Sequence, residues 1–229
     1  MPISLLLLQV GPPAASAHEV ITAMAGFEHV RQRFSWDCGL ACVEMSLRAL
    51  GPRPAASSVM DATPRTVWTI DLLLLLEQEL KGANKLRYST ACAGPPPPSH
   101  FELSFYARSP GDAQRVPLAF AEAAAKGLAV REEAADLAVV AAELATGAAV
   151  FIALVDYRLL RCTACGNGGS GSSYQGHYVL LVACHDGELQ YLDPAAGAPS
   201  GGCACTMDAC AAAWSAEGTD KDLIRVARD

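Results

Sequence analysis

Cys38 stands at the head of an apolar stretch, Cys38-Gly39-Leu40-Ala41-Cys42, with Trp36-Asp37 just before it and Gln32 six residues upstream. A thiol at a helix N-terminus lies in the positive end of the macrodipole, which favours the thiolate. The Gln32 side-chain amide is a donor suited to an oxyanion formed beside the sulfur. A nucleophilic site needs one more partner, an imidazole to move the proton. His177 opens a strongly apolar stretch directly after a glycine–serine loop, the kind of strand edge where bases are often placed. On its own residue type, His177 is equally a core histidine held by hydrogen bonds.

Asp193 closes the next stretch, and a carboxylate there could hold the imidazole tautomer. A two-residue turn at Asp186-Gly187 sets Asp193 opposite Leu180, about 10 Å along the strand from His177. Sheet twist, a bulge or a wider turn has to close that gap. Taken alone, Asp193-Pro194 is an ordinary turn.

The chain carries nine cysteines. Cys162-Thr163-Ala164-Cys165 and Cys203-Ala204-Cys205, with Cys210 near, are candidates for a structural zinc site. The favoured expectation is free thiols and no metal at the site. Cys42, Cys92 and Cys184 are expected to be small core residues. His18, His29, His100 and His185 have no convergent partner in sequence, so each is expected at the surface or in a turn. Trp36 is expected to pack beside the site, with Trp68 and Trp214 as core anchors.

The elements that must position these groups follow from pattern. Residues 38–50 form an apolar helix, with Asp37 as N-cap and Gly51-Pro52 as its stop. Residues 66–80 form a second helix around five consecutive leucines, Leu72 to Leu76, expected in the core and ended by Gly82. A strand is expected over 86–92, then a solvated loop at Gly94-Pro95-Pro96-Pro97-Pro98. Helices are expected over 117–126, ended by Gly127, and over 132–145, ended by Gly147. A buried strand follows over 148–155. The hairpin pairs 176–184 with 188–193. A small-residue loop, a helix over 207–216 and a strand over 223–226 complete the chain. Residues 3–10 read as an opening strand, 11–17 as a loop and 20–27 as a short helix. Helices first and an antiparallel sheet later give an α+β protein.

The bulk composition excludes several classes. With 229 residues and 52% hydrophobic residues the chain can bury a large core. A net charge of −7 without any basic run argues against nucleic acid as a partner. Residues 1–10 lack the positive start of a signal peptide, and no stretch is long enough to span a bilayer. The cysteine layout is not that of a small secreted scaffold, which points to a reducing compartment, the cytoplasm or the nucleus, and to no membrane partner.

Five separate motifs carry a resemblance. They are Trp36 to Cys42, Val67-Trp68-Thr69-Ile70-Asp71-Leu72, Ile152-Ala153-Leu154-Val155-Asp156, Gly176-His177-Tyr178-Val179-Leu180 and Gly218-Thr219-Asp220-Lys221-Asp222-Leu223. In that order they resemble the soluble family of plant guanylyl cyclase and its animal guanylyl cyclase domain-containing homologue, from about Val30 onward. More remotely, the Gln/Asp-Cys-Gly, His and Asp-Pro order is similar to papain-like cysteine peptidases that process bacteriocin leaders. The proline run and the glycine–serine insertion before His177 depart from the family and bear on substrate access. The expected architecture is a single papain-like domain over 1–229, with 1–28 as an N-terminal extension and 29–229 as the family core. Its Cys38 helix packs on an antiparallel sheet.

The two resemblances imply different chemistries. The papain-like order implies Cys38 as nucleophile, His177 as base and acid, Asp193 as orienter and Gln32 as oxyanion donor. That is a cysteine hydrolase acting on a protein or peptide substrate, at a peptide or isopeptide bond, with no cofactor. The family name implies a lyase, guanylate cyclase, which makes cyclic GMP from GTP with Mg²⁺ or Mn²⁺. Such a centre needs converging carboxylates, and no phosphate-binding glycine loop is present. A degenerate cyclase pattern laid over 35–48 would spread its residues about 15 Å along one helix. Thiol chemistry is the main expectation, with the cyclase as alternative and an inert interaction protein as the third reading.

Overall fold

The structure, a computed structural model, describes residues 26–50, 67–94, 97–103, 111–166, 168–196 and 202–228. The expected strand at 3–10, the loop at 11–17, nearly all of the helix at 20–27, His18 and the Gly51-Pro52 stop lie outside these residues.

Among the described residues the chain order is α1 (Cys38–Ala49), α2 (Thr69–Leu80), β1 (Leu86–Ser89), α3 (Pro98–Glu102), α4 (Asp112–Ala125), β2 (Ala129–Arg131), α5 (Leu137–Thr146), β3 (Ala149–Asp156), β4 (Gly176–His185), β5 (Glu188–Leu192), β6 (Gly202–Thr206), α6 (Met207–Trp214) and β7 (Leu223–Ala227). The strands form one seven-stranded sheet in the order β2-β1-β7-β3-β4-β5-β6. The α+β class holds, but the sheet is mixed: β1 and β2 run parallel, while every other neighbouring pair is antiparallel. Nor do the helices all come first, since β1 and β2 are interleaved with them.

The sheet is covered on both faces, which is why all eight residues of β3 are buried and apolar but for its last, Asp156. Ile152, Leu154, Tyr178, Leu180 and Leu192 pack with α1, α2 and α4, where four of the five leucines are buried. The alternate residues Phe151, Ala153, Val155, Val179, Leu181 and Tyr191 face α5 and α6. α1 is buried along almost its whole length, and its N-terminus approaches β4 and α2 closely. A Cβ on Gly39 would lie 2.8 Å from Leu72 Cδ1 and 3.0 Å from Tyr178 Cδ2. Only glycine lets the Cys38 end of the helix come that near.

Several boundaries differ from expectation for local reasons. α2 starts at Thr69 because Asp71 Oδ2 accepts the Trp68 N–H at 2.9 Å, closing a capping box, and Lys81 in the left-handed region ends it rather than Gly82. α4 begins five residues before Pro117, which sits inside the helix instead of opening it. α5 begins at Leu137, where the Asp136 side chain caps Ala138 N. β1 stops at Ser89, and Pro98 opens the short α3 rather than continuing an extended run. β6 is a strand where a loop was expected, because Gly-Cys-Ala-Cys-Thr carries little β-branched or aromatic signal. α6 ends at Trp214, two residues before the expected limit.

Candidate functional site

Asp37 precedes α1 but does not cap it in the expected sense. Its carboxylate turns back to accept the backbone N–H groups of Phe34 at 2.9 Å and Arg33 at 3.2 Å, and makes no bond to the first helical turn. The fully buried carboxylate therefore folds residues 33–37 into the turn that delivers Cys38 to the helix start.

Cys38 and His177 meet across the junction of α1 with β4. The imidazole and the backbone N–H groups of Tyr178 and Gly39 all act on the sulfur to favour its thiolate. Burial alone would push this thiol up. The His177 charge and these donors outweigh burial, and the Cys38 thiol lies below its ordinary value. One turn further on, Cys42 shows the opposite outcome: burial, Cys38 and Asp193 all push its thiol well up. Cys38 is the activated thiol of the two.

His177 Nε2 bonds Asp193 Oδ1 at 2.8 Å, which leaves Nδ1 as the nitrogen for Cys38. Burial opposes protonation of this ring, but Cys38 and Asp193 together raise its pKa to about 9. Both shifts favour the thiolate–imidazolium form of the pair. Burial likewise works against the Asp193 carboxylate, but His177, Tyr157 and the Ala195 N–H hold its pKa below the usual range.

A β-bulge closes the gap between His177 and Asp193. The turn is the expected two-residue one, with His185 paired to Glu188. Leu181 then pairs with Tyr191 while Ala183 pairs with Gln190, so Val182 is the extra residue. Extending the register brings Asp193 opposite Val179 instead of Leu180. The slip also changes the face: Val179 and His177 project on the same side, so the bulge puts carboxylate and imidazole together.

Two residues that sequence reasoning passed over complete the site. Tyr157, just after β3, donates its hydroxyl to Asp193 Oδ2 at 2.7 Å, and its ring centroid lies 4.4 Å from that of His177. His29, expected to lack a partner, has Nε2 2.9 Å from the Asp193 carbonyl oxygen. The neighbouring Gln32 N–H bonds the Pro194 carbonyl at 3.0 Å, so residues 29–32 run beside the Asp193 turn. Gln32 Nε2 donates to Phe34 O at 2.6 Å, and its buried Oε1 has no partner. Its amide is beside the site but committed to the backbone. Trp36 stacks on Phe34, with ring centroids 5.7 Å apart.

The remaining candidates fall elsewhere. His100 is buried and pairs with Asp220 at 3.1 Å, contrary to a surface role, because the 218–222 segment supplies a carboxylate from across the fold. His185 is exposed in the hairpin turn as expected. Cys92 and Cys184 are only half-buried, whereas Cys42 is fully in the core. Trp68 is a partly buried clamp whose Nε1 bonds Asp112 at 2.8 Å, and Trp214 is a core residue bonded to the Asp222 carbonyl at 3.0 Å. Asp222 itself, fully enclosed, accepts hydrogen bonds from Thr69 and Tyr88. Cys162, Cys165 and Cys203 come together, while Cys205 interacts with Cys210 instead, both as free thiols.

These features define an α+β protein with a buried cysteine–histidine–aspartate chain at the junction of its first helix and its sheet. The chain belongs to the family described as guanylylate cyclase, which it matches over residues 27–226. It is similar to guanylyl cyclase 1 of Arabidopsis thaliana, with 34% identity over 181 residues, 73% of this chain and 64% of that protein. The match thus spans a little under two thirds of the relative's length. No solved structure matches the chain. No helix among the described residues is long and apolar enough to cross a membrane.

Proposed function

We propose that the chain is a thiol enzyme with a papain-like arrangement, carrying out acyl transfer and, in its simplest form, hydrolysis of a peptide or isopeptide bond. One observation carries this reading: His177, held by Asp193 at 2.8 Å, acts on Cys38 and lowers its thiol against the effect of burial. The Cys38 thiolate would add to the carbonyl carbon. Protonated His177 would give its proton to the leaving amine as the C–N bond breaks, forming a thioester. Water then attacks the thioester, His177 takes its proton, and Cys38 leaves as thiolate. Asp193 and Tyr157 hold the ring throughout. Gln32 can donate to the oxyanion once its amide leaves Phe34 O. A protein or peptide is the substrate, and the step needs no cofactor.

The comparisons favour a second reading, in which GTP is converted to cyclic GMP with Mg²⁺ or Mn²⁺. Its support is the family match over 27–226 and the name of the Arabidopsis relative.

One purified preparation tests both. A thiol-directed acyl probe should label wild-type protein and fail to label Cys38→Ala and His177→Ala. Unchanged labelling in both variants rejects the thiol mechanism. Cyclic GMP formed from GTP and Mn²⁺ at enzymatic rates, retained in Cys38→Ala, would establish the cyclase. Absence of both activities leaves a binding protein.

A further inference from the structure

The segment Cys162-Thr163-Ala164-Cys165-Gly166 forms a tight turn against β6. Gly166, at φ +72°, donates its N–H to the Cys162 carbonyl at 2.9 Å. Glycine is the residue that takes this left-handed position without strain. The turn folds the Cys165 N–H onto Cys162 Sγ at 3.4 Å. From the facing strand, the Ala204 N–H donates to the same sulfur, also at 3.4 Å. Thr163 N bonds Ala204 O at 2.8 Å, so the turn is stitched to β6 on both sides of that sulfur. Cys203 then projects its sulfur to 3.8 Å from Cys165 Sγ.

All three sulfurs lie within 4.8 Å of one another. Thiolates bound tetrahedrally at about 2.3 Å from zinc stand roughly 3.8 Å apart, so the Cys165–Cys203 pair is already at that spacing. Two N–H donors on one sulfur are the outer-shell support that a metal thiolate uses. Among the described residues, this is the group of three or more His, Cys, Asp and Glu side chains close enough to share an ion.

We propose that Cys162, Cys165 and Cys203 bind one soft divalent cation, Zn²⁺, as three thiolates. The three thiol protons pass to solvent on binding, and no electron is transferred. The fourth position belongs to a water molecule on the exposed Cys165 side. Cys205, turned to Cys210, is not a ligand. The ion joins the segment after β3 to β6, and that segment begins at Tyr157, the residue that holds Asp193. The site is therefore a brace next to the cysteine–histidine chain, independent of which reaction that chain performs.

The test uses the full chain purified under reducing conditions. Elemental analysis should find one zinc per chain. Replacement by Co²⁺ should give intense thiolate-to-metal charge-transfer absorption together with the visible bands of tetrahedral cobalt. Cys165→Ser, at an exposed position that tolerates serine, should keep the fold by circular dichroism and weaken metal binding by about 100-fold or more. Cys205→Ser and Cys210→Ala should keep wild-type metal content. Reduced protein that binds neither zinc nor cobalt overturns the proposal, as does metal content unchanged in Cys165→Ser. A Cys165–Cys203 disulfide formed in air by protein that binds no metal when reduced would show a redox pair instead, and overturns it too.

Discussion

Tyr157 donates its hydroxyl to Asp193 at 2.7 Å, on the carboxylate oxygen that His177 does not use. The carboxylate is thereby pinned on both oxygens, and the imidazole can be aimed only where Asp193 is aimed. Tyr157→Phe keeps the ring against His177 and removes only this bond. The expected loss is about 1 kcal/mol of positioning, a roughly fivefold slower labelling of Cys38, with the fold unchanged. Labelling rate and near-ultraviolet circular dichroism measured together check this.

Thiolate character at Cys38 rests on His177, because burial alone works against it. Alkylation of wild-type protein should reach its plateau at a lower pH than that of an ordinary thiol. In His177→Ala only the Tyr178 and Gly39 N–H groups still oppose burial, so the midpoint should move up and the rate at pH 7 should fall by about 100-fold. A pH series of alkylation followed by mass spectrometry reads both. In the wild type, His177 should titrate near 9 by nuclear magnetic resonance, and Cys38→Ala should lower that value, since Cys38 is the largest influence raising it.

Asp222 sits fully enclosed under the Thr69 and Tyr88 hydroxyls, and burial raises its carboxyl to about 7 despite these donors. A carboxyl whose folded pKa lies above its unfolded one binds its proton more tightly when folded. Its contribution is fully present below about pH 4 and is lost as pH rises through about 7. Relative to Asp222→Asn, the wild type should lose on the order of 4 kcal/mol between pH 4 and pH 8. Urea unfolding of both proteins across that range is the measurement.

Gly39 should not accept a side chain. Its Cβ would press on Leu72 and on the Tyr178 ring, both in the core. Gly39→Ala should cost about 1–3 kcal/mol despite the better helix propensity of alanine. Because the Tyr178 N–H also favours the Cys38 thiolate, the variant should react more slowly with alkylating reagents as well.

Much of the site was legible because its groups announce themselves locally. Cys38 heads an apolar helix, His177 follows a glycine–serine loop, and Asp193 precedes proline. The length mismatch between the last two required twist, a bulge or a wider turn, and the bulge at Val182 supplies it. What stayed hidden depends on contacts between distant segments. Tyr157 is a plain tyrosine after a strand until the fold brings Asp193 to it. His29 and His100 find carbonyl and carboxylate partners more than a hundred residues away, since 193 − 29 = 164 and 220 − 100 = 120. Asp37 sits where a cap belongs but bonds backward, and residue type alone cannot choose between those directions. β6 carries cysteine and alanine where strand formers were needed as a signal, so only pairing with β5 reveals it.

The register shift at Val182 has a consequence in the order of synthesis. Cys38 leaves the ribosome long before His177, the main group that lowers its pKa, and the separation is 177 − 38 = 139 residues. Until β4 and β5 have been made and paired with one residue left over, the nascent chain carries only a commonplace thiol. Its reactivity is withheld from the unfinished polypeptide and conferred when the hairpin docks.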